Sequence, residues 1–156
     1  MTKSLNAKSA VLIGKLGEDL VAQWLQTTGW VILERRFSCR WGEIDIIGES
    51  NGDNQTKTIV FVEVKTRSSG NWDAGGREAI ASKKQTKLLR TAEFFLVKYP
   101  GKADYTYRFD VAIVSCQKIS KNSTITIQNS ITASLIAEYY LKLEEYIPAA
   151  FNCISN

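Results

Sequence analysis

The chain contains no histidine among its 156 residues. This removes every mechanism that needs an imidazole as base or ligand: Ser-His-Asp hydrolysis, H-E-x-x-H metalloproteases and histidine-based nucleases. The three cysteines, Cys39, Cys116 and Cys153, are far apart and form no C-x-x-C pair. They suggest neither a disulfide framework nor a zinc site, only small reduced packing residues. No apolar run approaches the roughly 18 residues of a membrane span, and residues 1–8 lack the apolar core of a signal peptide. A cytoplasmic location with no membrane partner is expected. Repeats, linkers and low-complexity segments are also lacking, so residues 1–156 are expected to form one domain. The net charge of +4 is compatible with a polyanionic partner without demanding one. The remaining catalytic vocabulary is carboxylate, lysine, metal and water.

Those residues occur together in two short segments, Gly42-Glu43-Ile44-Asp45-Ile46-Ile47 and Phe61-Val62-Glu63-Val64-Lys65. Each sets charge within strand-forming apolar residues. Residues i and i+2 of a strand share a face, so Glu43 goes with Asp45 and Glu63 with Lys65. The intervening residues 50–57 are polar and turn-rich, which predicts a hairpin. A turn centred on Asn54 sets Asp45 opposite Glu63 and Glu43 opposite Lys65. Like charges so placed destabilise a sheet, and a hard divalent cation would offset the repulsion. The competing reading is a solvated pair on an ordinary strand. Ile59-Val60-Phe61-Val62 is apolar on both faces, as in a central strand. Charges at the end of such a strand need partners or a task.

Around this pair, helical spacing predicts a helix from about Ser9 to Thr28, stopped at Gly29. In it Glu18 is in line with Gly14, Val21 and Leu25. It is either an exposed residue at the stripe's edge or an acid aimed at the strands. Residues 30–37 read as a first strand, making an antiparallel meander with 43–48 and 58–66. Arg67 to Glu78 reads as a loop, in which Trp72 either stacks on a base or pins the loop. Ser82 and Gln85 form a capping box for a helix ending near Lys98, before Pro100. Lys83, Lys87 and Arg90 share one face of it, either contacting phosphates or simply solvated. Strands are expected at 105–115 and 124–128. A last helix is expected at 134–147, making a core of about 9–128 and a C-terminal helix and tail of 129–156. The order α-β-β-β-α-β-β-α implies an α/β fold with a mixed sheet, helices on its faces and a right-handed crossover.

These residues fit one chemistry. Asp45 and Glu63, with the Val64 carbonyl, would hold one or two Mg²⁺ (or Mn²⁺) ions, which activate water and neutralise the cleaved phosphate. Lys65 would orient or deprotonate the water, or stabilise the transition state. Glu18 would complete the metal shell. Lys83, Lys84, Gln85, Lys87, Arg90 and Arg67 are the candidate nucleic-acid contacts.

Asp45, 17 intervening residues and Glu63-Val64-Lys65 resemble the PD-(D/E)xK motif of the restriction-endonuclease-like superfamily. More narrowly, five segments in order resemble the YraN-like family of bacterial proteins: Gly17-Glu18-Asp19-Leu20, Gly42-Glu43-Ile44-Asp45, Phe61 to Arg67, Lys84-Gln85 and Arg108-Phe109-Asp110-Val111. The resemblance implies a three-layer α/β/α endonuclease-like core, with metal ligation by Asp45 and Glu63, catalytic assistance by Lys65 and an acidic contribution from Glu18. The segment 145–151 is similar to that family's terminal aromatic motif, with Tyr146 where the family often has histidine. The leading expectation is a Mg²⁺-dependent DNA endonuclease acting on branched or structured DNA, including single-stranded regions; junction resolution would require a homodimer. The alternative is a non-catalytic nucleic-acid-binding module of a repair or uptake complex. A weaker third option is a protein-interaction scaffold.

Overall fold

A computed structural model describes residues 2–52, 57–68, 82–120, 131–136 and 138–151. Its elements are α1 (Thr2–Thr27), β1 (Trp30–Cys39), β2 (Gly42–Ser50), β3 (Thr58–Ser68), α2 (Ser82–Lys98), β4 (Thr106–Lys118), β5 (Thr132–Ile136) and β6 (Tyr139–Phe151). The strands form one mixed sheet in the order β1-β2-β3-β4-β6-β5. The β1-β2-β3 meander is antiparallel, and β3 and β4 run parallel across the α2 crossover. Among the described residues no helix is long and apolar enough to cross a membrane.

Helix α1 covers one face and α2 the other. On the α1 side Leu16, Leu20, Val21 and Leu25 pack against Ile46, Val60, Val62, Ala112, Val114, Leu141 and Leu143. The buried face therefore lies further round the helix than Leu12, which is exposed. Glu18 is on the buried face. The α2 side is aromatic: Phe61 stacks on Phe109 at 5.2 Å between centroids and meets Phe95 edge-on at 5.8 Å. Strand β3 is buried on both faces from Ile59 to Glu63, so the catalytic candidates sit at the end of a central strand.

The hairpin register follows the sequence expectation. Glu49↔Ile59, Gly48↔Val60, Ile47↔Phe61 and Ile46↔Val62 are paired, as a turn centred on Asn54 requires. The ladder then stops, short of the expected Asp45–Glu63 pair. The Glu43–Lys65 pairing does not form: Glu43 pairs with Ser38 of β1, whose hydroxyl it accepts at 2.9 Å. Lys65 pairs with Ile113 of β4. Asp45 and Glu63 would come next in this register, and their like charges make continued zipping unfavourable.

Two boundaries and one element differ from expectation. Helix α1 starts seven residues early, and β4 extends to Lys118. The expected helix at 134–147, and with it the C-terminal helix of the 129–156 tail, is instead a hairpin of β5 and β6. Leu135, Ile136, Tyr139, Tyr140, Leu143, Tyr146 and Ile147 fit a helical period. Tyr139, Leu141 and Leu143 also alternate as a strand, and β6 pairs with β4 from Lys118↔Tyr139 to Phe109↔Phe151. That long-range pairing decides the outcome. The strand expected at 124–128 and the Trp72 loop lie outside the described residues, as does Cys153.

Gly17 sets how closely α1 approaches the sheet. A Cβ there would stand 2.0 Å from Thr66 Oγ1 and 3.2 Å from Thr66 Cβ. Gly→Ala in a helix gains about 1 kcal/mol in propensity, whereas overpacking costs about 1–3 kcal/mol. Gly17→Ala should therefore lower stability by up to about 2 kcal/mol, read from the denaturation midpoint. In a Thr66→Ala background, where hydroxyl and methyl are gone, the same substitution should become neutral or stabilising. An equal penalty in both backgrounds would show that close approach is not why glycine stands there.

Candidate functional site

The end of β3 brings together side chains from four elements. Where β2 parts from β3, the Asp45 carboxylate takes over a backbone partner: Val64 N–H donates to its Oδ2 at 2.8 Å. Glu63 is buried, and Lys84 Nζ from the first turn of α2 donates to its Oε1. Glu18 comes in from α1, also buried, and accepts Arg36 Nε at 2.8 Å. Lys65 and Val64 are half-buried.

Two clefts meet at this point. One, of about 480 Å³, lies on the α2 side and is lined by Gly42, Glu43, Asp45, Glu63, Lys83, Lys84, Lys87 and Leu88. The other, of about 450 Å³, lies on the α1 side and includes Glu18, Glu63, Val64, Lys65, Thr66, Arg67 and Lys84. Glu63 and Lys84 border both, forming the divide between them.

Electrostatics separates the half-buried Asp45 from the buried acids. Burial raises its pKa first, the Glu63 charge next, and it reaches about 7 despite the Val64 N–H. Among the described residues no lysine or arginine makes an ion pair with it. Glu49, at the opposite end of β2, is the contrast. Burial pushes Glu49 up, but Lys102 and Lys57 outweigh this and hold it below its ordinary value; Lys57 Nζ is 2.8 Å away. A half-buried acid without its own cation, beside a second acid, is an arrangement that an external cation would stabilise. Lys65 is shifted downward, by burial first and by the neighbouring Lys84 charge second. That shift suits a lysine that takes part in proton transfer.

The Asp45 shift fixes a pH dependence. In the folded protein its carboxyl keeps its proton up to about 7, whereas its ordinary value is 3.8. The native state thus holds the extra proton in this window. The associated stability is fully present below 3.8 and is lost as pH rises through about 7, at most about 1.4 kcal/mol per pH unit. Metal-free protein should lose melting temperature between about pH 4 and 7, and Asp45→Asn should lose distinctly less. Parallel profiles for the two proteins would contradict the shifted carboxyl.

The expected residues are placed unevenly. Asp45, Glu63, Val64, Lys65 and Glu18 converge. Lys83 and Lys87 line the α2-side cleft, and Arg67 the α1-side cleft. Arg90 is exposed one turn beyond Lys87, and Gln85 is half-buried in the first turn of α2. Lys84, expected to face nucleic acid, is held by Glu63. Arg36 was not foreseen. It adopts a positive φ of 50°, uncommon outside glycine, and its guanidinium anchors Glu18. The only sequence signal was a pair of arginines inside a strand. Among the described residues no cluster of three acidic or thiol ligands exists; a metal would rest on two carboxylates, backbone oxygen and water, a set that suits Mg²⁺ or Mn²⁺.

Comparison with known proteins gives one family. The model of a family described as "Uncharacterised protein family UPF0102" matches residues 17–114, the span that holds all of these side chains. A UPF0102 protein of Trichormus variabilis is 63% identical, covering 91% of this chain and 95% of its own. A UPF0102 protein of a Nostoc species is 59% identical over the same shares. One of Trichodesmium erythraeum is 42% identical, covering 96% of this chain and 94% of its own.

Proposed function

For this chain, which belongs to the uncharacterised protein family UPF0102, we propose the activity of a divalent-metal-dependent nuclease hydrolysing phosphodiester bonds in DNA. One observation carries the reading: Asp45 and Glu63 share a recess in which burial and mutual repulsion raise Asp45 to about 7, with a downshifted lysine beside them. A Mg²⁺ or Mn²⁺ ion would be held by the Asp45 and Glu63 carboxylates and the Val64 carbonyl. Bound there, it supplies charge neutralisation at the phosphate and a more acidic water.

The chain's own residues do the rest. Val64 N–H holds the Asp45 carboxylate in one orientation. Lys65, its ammonium form disfavoured by burial, accepts the proton of the attacking water or donates to the phosphate oxygen as charge builds. Glu18 is neutralised by Arg36, so its contribution is to shape the cleft and hold water rather than to bind metal directly. Lys83 and Lys87 on one side and Arg67 on the other receive backbone phosphates, so a strand crosses the divide at Glu63. Branched or otherwise structured DNA is the proposed substrate class.

One contact favours a second reading. The Lys84 ammonium on Glu63 puts a protein cation where a metal would act, as expected of a nucleic-acid-binding module that does no chemistry. The two readings separate when single-stranded, duplex, flapped and four-way-junction DNA are incubated with and without Mn²⁺, beside Glu63→Gln. Metal-dependent products that vanish in the variant support the nuclease. Salt-sensitive binding, indifferent to metal and without products, supports the module.

A further inference from the structure

The turn between β1 and β2 carries a group of side chains that the metal chemistry does not use. The guanidinium of Arg40 lies over the Trp41 ring, 4.6 Å from its centroid. That of Arg90, reaching from α2, lies 4.4 Å from the same centroid. Both arginines are exposed and Trp41 is half-buried. Among the described residues no carboxylate makes an ion pair with either guanidinium. Two cations gathered on one indole repel each other, although each is attracted to the ring. The arrangement is thus a positively charged cluster of planar groups with no carboxylate of its own.

Its position relative to the catalytic candidates is fixed. Gly42, the residue after Trp41, lies against α2: a Cβ there would stand 3.8 Å from Lys87 Cβ and 3.6 Å from Thr91 Oγ1. Gly42 and Lys87 also line the cleft that contains Asp45 and Glu63. Lys83, Lys87 and Arg90 follow one another on a single helix face, Arg90 about 10 Å beyond Lys83 along the axis. A row of cations therefore leads from the cleft to the Arg40–Trp41–Arg90 stack. Lysines alone would suit any polyanion. Planar groups suit the face of a base, and in an uninterrupted duplex each base face is covered by its neighbours.

We propose that the Arg40–Trp41–Arg90 stack binds an unpaired nucleotide of the strand whose phosphodiester lies at Asp45 and Glu63, so that the substrate is nucleic acid with a single-stranded segment beside the point of cleavage. The position of cleavage rests on the nuclease reading; the binding of an unpaired strand does not. An indole or guanidinium plane stacks on the base, and the remaining cations neutralise the flanking phosphates.

Binding is tested by fluorescence anisotropy with a labelled oligothymidylate and with a blunt duplex of the same length. Both are measured in EDTA, where no cleavage occurs. Trp41→Ala should weaken oligothymidylate binding about tenfold and duplex binding less than about twofold. Trp41→Phe, which keeps a ring and the turn's packing, should retain most of the affinity. Arg40→Gln and Arg90→Gln should each reduce the salt slope on the single strand by about 0.7. Equal losses on both probes, or no loss on the single strand, would overturn the proposal. Wild type that binds oligothymidylate through Trp41 yet cuts nothing with Mn²⁺ refutes the nuclease and keeps the stack. Wild type that cuts duplex and single strand alike, with no effect of Trp41→Ala, refutes the stack and keeps the nuclease.

Discussion

Glu63→Gln should leave a folded protein whose metal-dependent cleavage is lower by about a thousandfold or more, since metal-ion catalysis contributes several kcal/mol and each 1.36 kcal/mol is tenfold. Glutamine keeps the shape and one acceptor of the buried side chain but supplies no charge to a cation. Asp45→Asn should behave alike, because its amide oxygen still accepts the Val64 N–H while the charge is gone. The two variants differ in a second readout. Glu63 is the second-largest cause of the raised Asp45 pKa, so removing its charge should return Asp45 toward its ordinary range, visible in a carboxyl titration by NMR. Either variant cutting as well as wild type with Mg²⁺ or Mn²⁺ would end the metal mechanism. An unmoved Asp45 titration in Glu63→Gln would show that the two acids do not interact.

The second large effect is on stability and lies away from the cleft. Asp110 is 1% exposed and fully engaged. Arg108 donates to it through Nε at 3.0 Å and Nη2 at 3.1 Å, Tyr146 through its hydroxyl at 2.6 Å and Ala149 through its backbone N–H at 2.9 Å. The β4–β6 register breaks here, with Phe109 opposite Phe151 but Val111 opposite Ile147. Ala149 takes a φ of 47° within the irregularity. Asp110 thus replaces the ladder partner that the bulge removes. Asp110→Ala strands two donors and a partly buried guanidinium, and should cost about 3–5 kcal/mol, a large part of the 5–15 kcal/mol typical of a domain. Tyr146→Phe removes one bond to a charged acceptor and should cost about 1.5–3 kcal/mol. Urea denaturation midpoints measure both. If the two substitutions cost the same, Asp110 acts only through the tyrosine and the bulge does not depend on it.

The residues at the divide were readable from local pattern. A side-chain period of two, and a polar loop centred on Asn54, suffice to bring Asp45 and Glu63 to one cleft, though not into the paired ladder. Helical spacing set Lys83, Lys87 and Arg90 on one face; it also implies that Lys84, about 100° round from Lys83, points elsewhere, and it points at Glu63. What escaped depends on distant partners. The segment 134–147 fits both periods, and only β4 decides between them. Arg36 acts through an unusual φ, and Asp110 through donors more than thirty residues away, neither of which leaves a local signature. The Arg40–Trp41 turn escaped because its second guanidinium comes from α2.

The place of β6 in the sheet bears on how the chain matures during translation. It lies between β4 and β5, so among the described residues the sheet interior is completed by the strand that is made after all the others. Until then the β4 edge is unpaired, Asp110 lacks its Tyr146 and Ala149 donors, and α1 lacks the wall formed by Leu141 and Leu143. The nascent chain thus carries an open β4 edge between the making of β4 and that of β6, an invitation to wrong pairing. The acid at Asp110 discourages such pairing, because a foreign strand docking there would have to bury a carboxylate that has only Arg108 of its four-donor set. The feature that steadies the finished protein therefore also guards the unfinished one.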